Sequence, residues 1–166
     1  MPLTPSYIRD AQVDDALDAE LRALLTRCFG KSFEHKRYEH EMPPHRLLVR
    51  DEGALAAHVA VHEKVLKSDG AALPFLGIAE VCVALSYRGR GLVREMMREL
   101  EAHFAGFPFA VLLGDPGVYG SSGYKTVGNV HFPFEKTGQP NTGVMVKALG
   151  SQSWPLDEVT IEGPPF

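Results

Sequence analysis

The chain has 166 residues, a formal net charge of -4, 45% hydrophobic residues and 23% charged residues. That length suits one domain with a sizeable core, and the composition is ordinary for a globular chain. A slightly acidic chain lacks the basic field that nucleic-acid phosphates require, so no nucleic-acid partner is expected, while a cationic partner is compatible. The seven histidines and two cysteines, Cys28 and Cys82, show no metal-ligand spacing, so no metal is expected. Cys28 falls at an apolar helical position and Cys82 inside a strand, which reads as two buried free thiols in a reducing compartment. Met1-Pro2-Leu3-Thr4-Pro5 lacks the charged start and apolar stretch of a signal peptide, and no apolar run approaches the length of a membrane span. The expectation is a cytoplasmic protein with no membrane association.

Asp14 to Phe29 reads as a helix. Leu17, Leu21, Leu24, Leu25 and Cys28 recur at helical spacing, Asp14 or Asp15 can cap the start, and Gly30 is a stop signal. Lys31 to His45 is polar, rich in His and Glu, and holds Pro43-Pro44, so it reads as a loop with room for a helical turn. It is either a plain connection or a flexible cover for an acceptor site. Arg46 to Arg50 and Ala54 to Lys67 are strand-like and joined near Asp51-Glu52-Gly53, a hairpin signal. After Ser68-Asp69-Gly70, Leu73 to Leu85 is apolar enough to be a central strand. Leu92 to Phe104 carries Leu92, Met96, Leu100 and Phe104 on one helical stripe. Phe109 to Leu113 is a wholly apolar buried strand, Gly117 to Ser122 a short turn or helix, and Tyr124 to Val127 with Val144 to Leu149 close the sheet. Lys31 to Pro44 and Val130 to Asn141 read as loops. There is no internal repeat, so residues 1–166 read as one domain built on a mixed α/β sheet, mostly antiparallel and flanked by helices.

Between the central strand and the second helix stands Arg88-Gly89-Arg90-Gly91-Leu92-Val93. The first N–H groups of a helix lack internal partners and favour an anion. Glycines at 89 and 91 let the backbone approach phosphate oxygens, and two arginines add charge. The run suits a diphosphate. By itself it is equally a strand-to-helix turn with solvated arginines. It matches neither a mononucleotide loop nor the three-glycine dinucleotide fingerprint.

With its flanks the run resembles the central signature of the GNAT superfamily of N-acetyltransferases, Arg/Gln-x-x-Gly-x-Gly/Ala after a strand. Here Val81-Cys82-Val83-Ala84-Leu85-Ser86-Tyr87 leads into Arg88 and Gly91, and Val93 stands where a small residue is usual. The family uses the backbone N–H at that position, so the departure is mild. Val118-Tyr119-Gly120-Ser121-Ser122-Gly123-Tyr124 resembles a second family element, Phe-Tyr-x-x-x-Gly-Phe, preceded by Gly114-Asp115-Pro116. Ala54-Leu55-Ala56-Ala57-His58-Val59 and Trp154-Pro155 … Val159 … Gly163-Pro164 resemble rhizobial nodulation N-acyltransferases. Ala54 to Val93 resembles aminoglycoside 2'-N-acetyltransferases in spacing.

The resemblance implies an acetyl-CoA-dependent enzyme passing its acetyl group directly to a primary amine of a small molecule or peptide, with a longer acyl donor also open. Val81, Cys82 and Val83 would bind the pantetheine arm through backbone groups. Arg88, Gly89, Arg90, Gly91, Leu92 and Val93 would hold the pyrophosphate. Tyr119 would protonate the leaving thiolate, and the plain alternative is an aromatic packed at a turn. Glu80 is a candidate base for the amine proton, or a charged residue at a bulge or edge. His58 and His62 share a strand face, and each is more naturally a hydrogen-bonded structural histidine. Asp157, Glu158, Glu162 and the terminal carboxylate read first as a solvated acidic tail and second, by resemblance to the aminoglycoside-modifying branch, as part of an amine site. GNAT relatives are often homodimers. The alternative function is a non-catalytic or sensory acyl-CoA-binding module of the same fold, and a rival class is an unrelated nucleotide-binding α/β protein.

Overall fold

The computed structural model describes residues 2–133 and 140–166. Helix α1 (Asp15–Phe29) starts where the Asp14 carboxylate accepts the Leu17 N–H at 2.8 Å and stops at Gly30, as its sequence dictates. Leu17, Leu21, Leu24 and Leu25 are buried on one stripe. Strands β2 (His45–Asp51), β3 (Ala54–Ser68) and β4 (Ala71–Val83) form an antiparallel meander through turns at Glu52-Gly53 and Asp69-Gly70. Strand β4 begins two residues earlier than its apolar run suggests and ends at Val83, because Leu85–Tyr87 closes a 3-10 turn. Helix α2 (Leu92–His103), β5 (Phe109–Leu113) and a short α3 (Pro116–Tyr119) follow. Then come β6 (Lys125–Thr126) and β8 (Val144–Ala148), which pair antiparallel and close the sheet.

Three strands carry too little local pattern to be read from sequence. β1 (Ser6–Arg9) adds an edge to β2. β7 (Val130–His131) and β9 (Val159–Ile161) pair parallel, and β9 joins β3 at Leu66 and Lys67. The expectation that 130–141 is a loop therefore fails at Val130–His131, and 134–139 of that span lie outside the described residues. The C-terminal segment is not a solvated tail. It pairs as a strand, Glu162 bonds Lys67 at 2.9 Å, Glu158 pairs with His131, and the Phe166 ring lies on Gly77 and against Phe75.

The sheet runs β1-β2-β3-β4-β5-β8-β6 and is antiparallel except at the β4–β5 and β7–β9 pairs. Alternation of side chains sorts the apolar residues onto two faces. Leu47, Val49, Ile78 and Val83 pack with Met96, Met97 and Leu100 of α2. Leu48, Leu55 and Cys82 pack with Leu17, Leu21 and Leu24 of α1. No described helix is long and apolar enough to cross a membrane.

Two local features shape the space between the layers. The first is a bulge: the register runs His58↔Cys82 and then Ala60↔Ala79, so Glu80 and Val81 oppose Val59 alone. Glu80 takes φ 53°, a left-handed backbone that a glutamate rarely adopts. The second is a splay. β4 and β5 pair only from Leu76↔Ala110 to Ile78↔Leu112, while β4 continues to Val83. Past Ile78 the two strands diverge, and among the described residues no strand pairs with that edge of β4.

Candidate functional site

The gap opened by the splay is a cavity of about 840 Å³. It lies within the size range of small-molecule sites. Val81, Cys82 and Val83 form one wall, and Arg88, Gly89, Arg90, Gly91, Leu92 and Val93 form the floor at the start of α2. The C-terminal end of α1 contributes Cys28 and Phe29, and α3 brings Tyr119. Every residue that the sequence marks for the donor, and Tyr119 with them, therefore faces one space.

The floor owes its shape to its glycines. Gly91 is the N-cap of α2 with φ 77°, and Gly89 has the same φ. A Cβ at either position would meet nothing within 4 Å, so the demand for glycine is conformational rather than steric. Gly91 has no side chain to cap the helix, which leaves the first-turn N–H groups directed at the cavity. The arginines are more structural than their charge suggests. Arg88 Nε donates to the Val83 carbonyl at 3.1 Å. Arg90 donates to the Ser86 carbonyl at 3.0 Å and lies 4.9 Å from the centre of the Tyr87 ring. They brace the loop while adding positive potential beside the N-terminus of α2.

Tyr119 is placed by a chain of close fits. The Asp115 carboxylate accepts the Gly117 N–H at 2.7 Å and starts α3, and the Tyr119 N–H bonds the Asp115 carbonyl at 3.1 Å. The Tyr119 ring then lies on Gly114, where a Cβ would come within 2.5 Å of it. The sequence pattern includes Gly114, and the structure supplies the reason: no other residue leaves room for this ring. Burial, with a smaller contribution from Cys82, raises the phenol above its ordinary value, so it stays protonated at neutral pH.

Glu80 does not line the cavity. It faces the 31–44 segment, where its carboxylate accepts the Glu39 N–H at 3.0 Å and its other oxygen is buried without a hydrogen bond. Burial pushes this carboxyl up, and the Glu39 N–H and Arg46 offset part of that. The 31–44 segment is itself tied down, since Arg37 reaches Asp10 at 2.7 Å and Asp18 at 2.9 Å.

Beneath the bulge runs a buried polar relay that sequence reading does not find. Arg46 is fully buried; its Nε donates to Asp10 at 2.7 Å and its Nη1 meets His58 Nε2 at 2.9 Å. A guanidinium only donates, so His58 Nε2 accepts and Nδ1 carries the proton. Nδ1–H then donates to the Glu80 carbonyl at 3.0 Å. Burial and the Arg46 charge push His58 down to about 3, which keeps it neutral. His58 therefore fixes the bulge. His62 is buried near Phe166, 6.4 Å between ring centres, and burial pushes it down to about 4.

Comparison with known proteins places this arrangement. The model of the acetyltransferase (GNAT) domain matches residues 7–127. A GNAT family N-acetyltransferase from Escherichia coli, YhbS, solved in complex with CoA, superposes with a TM-score of 0.72 at 21% identity over 98% of this chain and 91% of that one. A GNAT family acetyltransferase from Brucella melitensis, in complex with acetyl-CoA, gives 0.57 at 20% identity over 93% and 94%. A probable N-acyltransferase from Enterococcus faecalis gives 0.60 at 18% identity over 75% of this chain and 33% of that one. These likenesses show a single-domain α/β GNAT fold, and the family model covers both the splayed strand and the Tyr119 element. The chain belongs to the GNAT acetyltransferase family.

Proposed function

We propose that this protein transfers an acetyl group directly from acetyl-CoA to a primary amine. The observation that carries the reading is the shared cavity: a strand edge with no partner among the described residues, a helix N-terminus without a side-chain cap and a protonated tyrosine all face the same 840 Å³. CoA and acetyl-CoA occupy the two full-length neighbours, which supports the choice of donor. The free edge of β4 at Val81 to Val83 suits the amides of pantetheine as an added strand. The N–H groups from Gly89 to Val93 suit the pyrophosphate.

Each remaining task then has a residue. A backbone N–H of the same strand suits a thioester oxygen that gains charge, because a backbone donor is held in place before the reaction. Glu80, with one oxygen unpartnered, accepts the amine proton from the side of the 31–44 segment, directly or through water. Tyr119 returns a proton to the departing thiolate. Holding donor and amine together supplies much of the remaining rate. The test is release of free thiol from acetyl-CoA against a panel of amines. The resemblance of 54–59 and 54–93 to nodulation and aminoglycoside acyltransferases puts amino sugars and aminoglycosides in that panel beside peptide amines, and a longer acyl-CoA is assayed alongside. Stabilisation by CoA without turnover on any amine would leave only the acyl-CoA-binding module. Stabilisation by a mononucleotide or NAD in place of CoA would remove the donor assignment altogether.

Two expected results concern the site itself. Glu80 must be ionised to accept a proton, and its carboxyl is raised by burial. The rate therefore climbs with pH through a limb above the ordinary carboxylate range. Glu80→Gln should remove that limb and lower turnover about 10²-fold. A pH–rate profile that keeps the limb in the variant would assign it elsewhere. Gly114→Ala should displace the Tyr119 ring, because its Cβ would stand 2.5 Å from a ring carbon and 2.8 Å from Leu112. The cost in stability is about 1–3 kcal/mol. Turnover should fall well beyond what that cost explains, and thermal melting measured beside kcat separates the two effects.

A further inference from the structure

Of the two side chains that move a proton in the proposed reaction, only Glu80 has a positive φ, 53°. A glutamate in that region costs free energy and stays there only where its surroundings hold it. The β3–β4 register gives Glu80 no partner residue, as expected of a residue in a bulge. Its carbonyl goes to a side chain instead, and His58 Nδ1–H donates to it at 3.0 Å. The other end of Glu80 is held as well, since its carboxylate accepts the Glu39 N–H at 3.0 Å. Both holds lead back to Arg46. Its Nη1 donates to His58 Nε2 at 2.9 Å, and its Nη2 donates to the carbonyl of Arg37, just before Glu39, at 2.9 Å. Asp10 in turn fixes this guanidinium, accepting from Nε at 2.7 Å. Arg46 and His58 have no exposed surface, so water does not compete for these bonds.

We propose that His58 is a positioning residue of the acetyl transfer: its Nδ1–H holds the Glu80 carbonyl, and with it the backbone turn that keeps the Glu80 carboxylate against the 31–44 segment. It touches no substrate, and its role in the rate rests on Glu80 being the base of the proposed reaction. Arg46 does more here than fill space, because it selects the tautomer. A guanidinium only donates, so the imidazole presents its lone pair at Nε2 and its proton at Nδ1. The other tautomer would set a lone pair against the Glu80 carbonyl and repel it. Without a donor at Nδ1, the left-handed residue loses that hold and the bulge relaxes toward extended backbone. Side chains alternate faces along an extended strand, so a turn at one residue redirects the side chain it carries. The carboxylate then leaves the Glu39 N–H and the burial that raises it. The loss falls on the reacting step, since a base out of reach of the amine slows the chemistry. The donor is held by other residues, at 81–83 and 88–93, and its binding is spared.

Two amides divide the imidazole between them. The asparagine amide nitrogen stands as many bonds from the backbone as Nδ1, and the glutamine amide oxygen as many as Nε2. His58→Asn therefore keeps the donor to Glu80 and drops the acceptor for Arg46, and His58→Gln does the reverse. Both disturb the buried relay and should melt below wild type, so each is assayed at a temperature where its melting curve shows it folded. His58→Gln should lower kcat about tenfold or more and keep KM for acetyl-CoA within about twofold. His58→Asn should keep kcat within about threefold of wild type. Added to Glu80→Gln, His58→Gln should lower kcat no further, because both act through one carboxylate. NMR titration of labelled glutamate carboxyls gives a readout that needs no turnover. Burial raises Glu80 against the Glu39 N–H and Arg46, and the Glu39 and Asp10 carboxylates add to the rise. His58→Gln should return Glu80 toward the ordinary carboxylate range, and His58→Asn should leave it raised. Wild-type kcat in His58→Gln, an equal loss in both variants, or a further loss on top of Glu80→Gln overturns the positioning role. If wild type turns over no amine, or Glu80→Gln costs no rate, the proposed reaction or its base fails instead. The NMR arm still decides the hold on Glu80, which an unchanged titration in His58→Gln overturns.

Discussion

Arg46→Met should lower the stability of this protein by about 3 kcal/mol, a drop in melting temperature of about 10 °C for a chain of this size. Arg46 has no exposed surface, and its partner Asp10 is 6% exposed. Breaking a buried ion pair leaves the surviving charge in a poor solvent, and that desolvation is the main cost. Here Asp10 would keep Arg37, at 2.7 Å, which holds the loss at the lower end of the usual range. His58 would lose the donor to its Nε2, and Arg37 would lose the Nη2 donor to its carbonyl. Arg22→Met provides the contrast. Its pairing with Asp18 is equally short, 2.8 Å, but both side chains keep about a third or a quarter of their exposure, at 33% and 26%. An exposed pair of this kind contributes about 1 kcal/mol or less.

The same substitution should change how acid unfolds the protein. Burial alone would raise Asp10, but the Arg37 and Arg46 guanidiniums outweigh it and hold the carboxyl below its ordinary 3.8. Its stabilisation is present above that value and is lost as pH falls through the folded one. His58, pushed from 6.5 down to about 3, acts over a wider window. Between these values the unfolded chain takes a proton that the folded chain refuses, so stability falls as pH drops below 6.5. Removing Arg46 removes one of the two causes that depress His58. The variant should start less stable at neutral pH and lose less of its remaining stability between pH 6.5 and 3. Urea unfolding at several pH values measures both, and parallel wild-type and variant curves would defeat the argument.

This relay also shows where the sequence stops being informative. The long strands, α1, α2 and the glycine-rich turn are written in local pattern: alternation, helical spacing, an Asp cap, a Gly stop. Nothing local in Arg46 distinguishes a strand-end arginine from one paired with Asp10 across 36 positions. The short strands β1 and β9 fail for a related reason. Ser6-Tyr7-Ile8-Arg9 and Val159-Thr160-Ile161 are strands because β2 and β3 offer open edges, and short edge segments take their structure from that pairing. Glu80 was visible as a charged residue on a central strand, but its φ of 53° was not, since glutamate carries no preference for that backbone. Cys28 and Cys82 met no spacing rule because α1 packed on β4 brings both to the cavity, where Cys82 is buried as expected and Cys28 only half-buried. The turn from Gly89 to Val93 was legible because glycine is itself the signal for its positive φ angles.

Tyr119→Phe should lower turnover about 10²-fold while leaving acetyl-CoA binding near wild type. The substitution removes one oxygen and keeps the ring, which lies against Gly114 and meets Tyr124 edge-on at 6.3 Å. The fold and the shape of the cavity should therefore persist. An ordinary thiol titrates near 8.5 and an ordinary phenol near 10, so transfer from Tyr119 to a free thiolate is uphill by about 2 kcal/mol before burial is counted. Burial raises the phenol further. The proton must then move as the carbon–sulfur bond breaks, when sulfur is still gaining charge and the alternative is a bare thiolate in a cavity walled by Val81, Val83 and Val118. Help confined to the transition state lowers kcat and kcat/KM together and leaves ground-state binding alone. A raised phenol also predicts that no alkaline limb from Tyr119 appears in the neutral range. If Tyr119→Phe keeps its kcat, the thiolate leaves without this proton and Tyr119 serves only as a wall of the cavity. If KM for acetyl-CoA rises while kcat holds, the hydroxyl binds the donor and does not act as its acid.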